Sequence, residues 1–249
     1  MRRQLGFSLS EILISLFLSG IIMTMLIQFY LNSKHQYLKT QKLLVKSFDV
    51  QWASALLADS IRRAGFTPCV GIDQLTRVDG RDVSQTISGL IVQNQPHAFI
   101  KVSRMSEVFS PVLTIQGLNQ LTVPQGILFH QQRPLLIADC IHAEVLQIQR
   151  IDKSDFGSYL ITLTKPLVFS YTTPAYVGEW LEEKWFIKNN SSKASALYYK
   201  SVQTEELTPL IHSLTIKEQT AQGRRLLAIS MGLDEDKTHQ MVVAVRGSL

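Results

Sequence analysis

Between Phe7 and Leu31 lies a 25-residue run with one charged residue, Glu11, and no proline. As a helix it is ~37 Å long, enough to cross a hydrocarbon core of ~30 Å with some tilt. Arg2, Arg3 and Gly6 precede it. A secretory signal also places basic residues before an apolar segment, but its small-residue cleavage site follows that segment. Here the small residue, Gly6, comes first. A cut between Gly6 and Phe7 removes the basic leader and keeps the helix. Ser8, Ser10, Ser15, Ser19 and Thr24 interrupt the run, and their hydroxyls can bond back to the preceding turn. Gly20 costs ~1 kcal/mol in an exposed helix interior and can mark a close approach between helices.

From Asn32 to Ala64 there is neither proline nor glycine. Leu31, Leu38, Val45 and Trp52 recur every seven residues, with Phe48, Ala55 and Leu56 at helical spacing beside them. The pattern predicts one apolar stripe, with Lys34, Lys39, Lys42, Lys46 and Asp49 between its members. We therefore expect one helix from Phe7 to about Ala64, closed by Gly65 and kept from resuming by Pro68. Residues 7–31 would form its membrane half and residues 32–64 its amphipathic half. Phe48, Trp52 and Leu56 are expected to bury side chains worth roughly 1.5–3 kcal/mol each.

Over 65–249 the character changes to short period-two runs bounded by turn residues. Examples are Val112–Ile115, Ile127–Phe129, Leu135–Ile137, Val145–Ile151, Tyr159–Leu163, Glu183–Ile187, Leu197–Lys200, Leu210–Lys217, Leu226–Met231 and Gln240–Arg246. Such runs predict an antiparallel sheet, and no interleaved helices of the length needed for a parallel α/β fold are visible. The expected class is α+β, with the long helix packed on a β-rich domain.

The formal charge is +5 over 249 residues, and loss of Arg2 and Arg3 with the leader lowers it to +3. The cations are scattered through the sequence. Arg224-Arg225 is the nearest approach to a cluster and has no interleaved aromatics, so direct nucleic-acid binding is not expected. None of the six histidines falls in a short metal-ligand spacing, and phosphate-loop and nucleophile-elbow motifs are absent. Asp79 and Asp82 near Gly80, and Asp234-Glu235-Asp236, could ligate calcium, but such clusters read first as solvated turns. Asp139, Cys140 and His142 are neighbours in sequence without forming a catalytic signature. We expect no enzyme, metal or cofactor.

The opening Arg2-Arg3-Gln4-Leu5-Gly6-Phe7-Ser8-Leu9-Ser10-Glu11 resembles the type IV prepilin signal. The resemblance implies cleavage after Gly6 by a prepilin peptidase and methylation of the new Phe7 amine. It also implies a subunit contact in which that amine pairs with Glu11 of a neighbour. Two further stretches look like the PilW-type minor pilins. One is Leu57-Ala58-Asp59-Ser60-Ile61-Arg62-Arg63-Ala64-Gly65-Phe66 with Cys69 behind it, which has Ser60 where that family carries aspartate. The other is Ala138-Asp139-Cys140-Ile141-His142-Ala143-Glu144-Val145. Trp185-Phe186-Ile187, Leu197-Tyr198-Tyr199 and Leu210-Ile211 resemble the family's closing strands. If so, residues 1–6 are the leader and 65–249 a periplasmic domain on a single-pass inner-membrane anchor, later part of an extracellular pilus. Outside the cytoplasm Cys69 and Cys140 can form a disulfide, closing a loop worth ~4–5 kcal/mol on the chain-entropy estimate. The implied role is a minor subunit that helps start pilus assembly at or near the tip. Its implied partners are other minor pilins, the major pilin and a tip adhesin, in a filament serving adhesion, twitching motility or DNA uptake. A type II secretion pseudopilin shares the leader and helix, and a filament-borne ligand- or DNA-binding module is a third reading.

Overall fold

The computed structural model describes residues 8–81, 87–124, 129–131, 133–153, 157–191, 194–221, 223–233 and 237–245. The chain divides into two compact units, Met1–Asp49 and Val50–Leu249. Helix α1 (Leu9–Arg62) begins in the first and ends in the second.

Within the first unit every described residue from Ser8 to Asp49 is exposed. The surface of α1 there is made of side chains such as Leu13, Phe17, Ile22 and Phe29, which water solvates poorly and lipid accepts. Among the described residues α1 is the one helix long and apolar enough to cross a membrane. Its polar interruptions are satisfied locally. The Ser19 hydroxyl donates to the Leu16 carbonyl at 2.9 Å, and Thr24 donates to Ile21 at 2.8 Å.

The second unit carries fourteen strands among its described residues. They are β1 (Thr76–Asp79), β2 (Leu90–Gln93), β3 (Phe99–Pro111), β4 (Thr114–Gln116), β5 (Gln120–Val123), β6 (Pro134–Ala138), β7 (His142–Lys153), β8 (Tyr159–Leu163), β9 (Tyr176–Asn189), β10 (Ser195–Lys200), β11 (Thr204–Thr208), β12 (Ser213–Ala221), β13 (Arg224–Gly232) and β14 (Thr238–Ala244). Eleven form one sheet, and β12-β13-β14 form another. All pairings are antiparallel except β1 with β7. The α+β expectation agrees with this architecture.

Strand β9 is central. One edge pairs with β3 from Tyr176 to Phe186; the other pairs with β6 over Tyr176–Glu179 and with β10 over Lys184–Asn189. Alternation then assigns β9 side chains to different layers. Trp185, with Ile187 packed beside it, joins a core of Ala53, Leu57 and Ile61 from α1, Ile100 and Val102 from β3, and Leu214, Leu227 and Val243 from the small sheet. Trp180 joins Met105, Leu136 and Val145 under the segment after the helix. Val177 joins Leu121, Leu135, Leu146 and Ile161 in a third core.

The expected helix stripe is not the buried one. Phe48, Trp52 and Leu56 are 67%, 54% and 37% exposed; Leu31, Leu38, Val45 and Ala55 are exposed too. The buried face is Val50, Ala53, Ser54, Leu57, Ala58 and Ile61, continued by Ala64. At 100° per residue the two sets lie on roughly opposite sides of the helix. Hydrophobic size favoured the first set. The second wins because Ala53, Ser54 and Ala58 let the helix axis approach closely, so that Leu57 and Ile61 are fully buried.

Strand boundaries also differ from expectation. Leu210 belongs to a turn, Ile211 lies in the connection after it, and β12 starts at Ser213. The thirteen-residue β3 has no clean alternation in sequence because it buries residues on both faces, Ile100 and Val102 on one and Ser103 and Met105 on the other. Ile127, Leu128 and Arg246 lie outside the described residues.

The helix ends at Arg62, two residues short of Ala64. Gly65 has φ +68°, the left-handed conformation that glycine adopts without strain. Its amide donates to Ser103 of β3 at 2.9 Å, and its carbonyl accepts from Ile72 at 2.9 Å. A Cβ placed on Gly89 would lie 2.5 Å from Gly65 Cα and 2.7 Å from its nitrogen. The clash is with backbone, so it cannot be relieved by a rotamer change. We predict that Gly89→Ala lowers stability by ~1–3 kcal/mol, measurable as a drop in the chemical-denaturation midpoint.

Candidate functional site

The sequence points to the start of α1. Ser8 precedes the first helical residue, and its carbonyl accepts from the Glu11 amide at 3.0 Å. The Glu11 carboxylate reaches back, and its Oε2 accepts the Ser8 amide at 3.1 Å. This is the return half of a capping box, written as Ser8-Leu9-Ser10-Glu11. The spacing of Ser8 and Glu11 carries this signal in the sequence itself. The cap fits the positive end of the helix dipole, which favours an anion there. Oε1 makes no hydrogen bond among the described residues. Glu11 thus faces its own chain's start with one acceptor left over, while Gly6 and Phe7 lie outside the described residues. Along the helix, Ile14, Ser15, Leu18, Ser19 and Ile22 extend the Glu11 face as a shallow groove.

The two cysteines are joined. Sγ atoms of Cys69 and Cys140 are 2.01 Å apart, across 71 residues of sequence. The bridge fastens the segment after α1 to the β6–β7 turn. Asp139, 1% exposed, organises that turn. Its Oδ1 accepts the amides of Ile141 and His142 at 2.8 and 2.6 Å, and its Oδ2 accepts the Thr172 amide at 3.1 Å. Burial works against this charge, but the backbone amides outweigh it and hold the carboxyl below its ordinary range. His142 stacks on Phe169 at 4.7 Å. With Cys140 oxidised and Asp139 used as a turn brace, the trio has no free nucleophile.

Glu144 on β7 is wholly buried. It accepts the Val168 amide at 3.0 Å and the Tyr171 hydroxyl at 3.4 Å, so it straps residues 168–171 to the sheet. Burial raises its pKa more than these donors lower it. Other acids are matched by cations. Glu179 holds Arg133 at 2.9 Å, and Arg81 bridges Asp79 and Glu182 at 2.8 and 3.0 Å. Asp79 is therefore committed to an ion pair, away from the calcium role considered for it. Asp82 and Asp234–Asp236 lie outside the described residues, and no metal-competent cluster occurs among the described ones.

Ser60 is explained by what faces it. Its hydroxyl donates to Glu183 at 2.5 Å and accepts the Trp185 indole N–H at 3.3 Å, while Arg104 bonds the other Glu183 oxygen at 3.2 Å. An aspartate at 60 would set a second buried carboxylate against Glu183. Sequence reading missed Glu144 and Glu183; the available signal was an acid placed inside an apolar strand run.

We predict that Glu144→Gln raises the melting temperature at pH 7 by a few degrees, because Gln keeps an acceptor for Val168 without a charge to desolvate. A raised acid pKa contributes stability below the unfolded-state value and loses it as pH rises through the folded one. The gain should therefore shrink as pH falls toward 4, as followed by thermal melts across pH.

The first 27 residues match the family model of the prokaryotic N-terminal methylation motif. No curated protein and no solved structure matches the chain. The motif and the membrane-capable helix behind it support a type IV pilin-like protein.

Proposed function

We propose that the chain is a minor pilin of a type IV pilus, of the PilW-like kind, which helps start filament assembly and sits at or near the tip. The methylation motif at residues 1–27 carries this reading. The cysteine segments favour a pilus subunit over a secretion pseudopilin, because the stretches around Cys69 and Cys140 resemble those of PilW-type minor pilins. In this reading a prepilin peptidase cuts after Gly6 and methylates Phe7. The anchor is single-pass in the inner membrane, the β domain is periplasmic, and the assembled subunit is extracellular. Partners are other minor pilins, the major pilin and, at the tip, an adhesin. The role is assembly and not catalysis.

Glu11 supplies the assembly chemistry. An unpaired carboxylate within a bilayer costs ~2.5–3.5 kcal/mol on insertion scales. The capping bond to Ser8 occupies one oxygen, and a neighbour's Phe7 amine would take the other, cancelling two charges and fixing axial register. Glu11→Ala should still insert and be cleaved but fail to co-assemble, scored by pilus counts and by the variant's content in sheared filaments. Normal incorporation would overturn the pairing role. Mass spectrometry of the membrane-extracted protein should find N-methylated Phe7 at the start, and an intact leader would remove the reading.

A further inference from the structure

Beyond the assembly role, the face of the large sheet that carries the Trp180 core is left open further along, where β3, β9 and β10 pair. Along β9, Trp185 and Ile187 turn to the helix-side core, so Lys184, Phe186 and Lys188 turn the other way. The strand register assembles two rows on that outer face. Lys101, Lys184 and Lys200 are consecutive partners across β3, β9 and β10. Phe99, Phe186 and Tyr198 are consecutive partners in the adjacent same-face row. Neighbouring strands are ~4.8 Å apart, and the rows are two residues, ~7 Å, apart along the strands.

The rows are accessible. All six side chains are half-buried or exposed. Phe186 and Tyr198 stack with centroids 5.9 Å apart, and Lys184 Nζ lies 4.1 Å from the Phe99 centroid. A cleft of about 760 Å³ opens at one end, lined by His97, Phe99, Lys184, Phe186 and Lys188 among others. Lys101 is paired with Glu182 at 2.8 Å. Lys184, Lys188 and Lys200 make no ion pair among the described residues, and Glu206 on this face is bonded to the Tyr198 hydroxyl at 2.9 Å.

Like charges placed directly opposite across strands destabilise a sheet. A lysine row in which Lys184 and Lys200 have no acidic partner among the described residues is therefore a cost in the free protein that a polyanion would relieve. The neighbouring aromatic row specifies more than charge: flat rings in file beside a cationic rail suit a polymer carrying both phosphates and planar bases. Paired bases keep their faces stacked inside a duplex, so only unpaired ones can lie on these rings. We propose that this face binds single-stranded nucleic acid, with bases on the Phe99–Phe186–Tyr198 row and backbone phosphates along the Lys101–Lys184–Lys200 row.

The test uses the full chain in detergent micelles and a fluorescent fifteen-nucleotide oligo-dT, followed by anisotropy as a function of salt. Phe186→Leu, which keeps the apolar bulk, should weaken binding about tenfold or more while leaving the salt slope unchanged. Lys184→Gln with Lys200→Gln should lower the log–log salt slope by about 1.4. Tyr198→Leu is a second ring variant, and circular dichroism melts of each protein establish that it is folded. Absence of oligo-dT binding by the wild type would overturn the proposal. So would inorganic polyphosphate competing as well as oligo-dT together with no loss in either folded ring variant, because the face would then be only a cation patch. Tighter binding of a duplex of the same length would also overturn it.

Discussion

Strand β9 is hydrogen-bonded along both edges, to β3 on one side and to β6 and then β10 on the other. Every layer of the second unit is placed by that pairing. A strand with neighbours on both sides has fixed register, and a slip of one residue would exchange its two faces. Such a slip would move Trp185 out of the helix-side core and Lys184 into it. The rest follows from which layer each successive β9 side chain meets: α1 and the small sheet at Trp185, the disulfide-tied segment at Trp180, and the third core at Val177.

This arrangement buries acids as well as hydrocarbons. Glu179 and Glu183 lie on β9 itself, and Glu144 lies two strands away on β7. Each is held by donors from another segment: Arg133 for Glu179, Ser60 and Arg104 for Glu183, Val168 and Tyr171 for Glu144. Breaking such a contact leaves a buried group unsatisfied, which is more costly than the net worth of the bond. These residues therefore lock long segments in one position. The Cys69–Cys140 bridge and the Asp139-braced turn act in the same region, where the chain leaving α1 crosses to β6 and β7.

Helix α1 serves two surroundings with different demands. Its apolar start is exposed on all sides, as a membrane or a filament of like helices requires. Its last turns bury a narrow face of small and aliphatic residues, and the large residues Trp52 and Leu56 remain outside that contact. The polar end of the helix, Ser8 with Glu11, is stabilised within the chain and keeps an acceptor oxygen for another group.

What was legible in the sequence was local. The leader pattern, the uninterrupted helix, its stop just before Gly65 and several strands such as Tyr159–Leu163 are set by composition and by spacing over a few residues, and each can be read without knowing what lies opposite. The buried face of α1 was not legible, because the contact selects small residues for close approach and hydrophobic size pointed to Trp52. Strand β3 was hidden because its two faces bury residues in different cores. The role of Ser60 depends on Glu183, 123 residues away. The sequence also shows a scattered positive charge, from which no ligand face can be read. Lys101, Lys184 and Lys200 become neighbours only through strand register. The sequence by itself determined a membrane-capable helix joined to a β domain. Tertiary structure decided which side chains meet, because pairing across strands and packing between layers join residues that no local pattern connects.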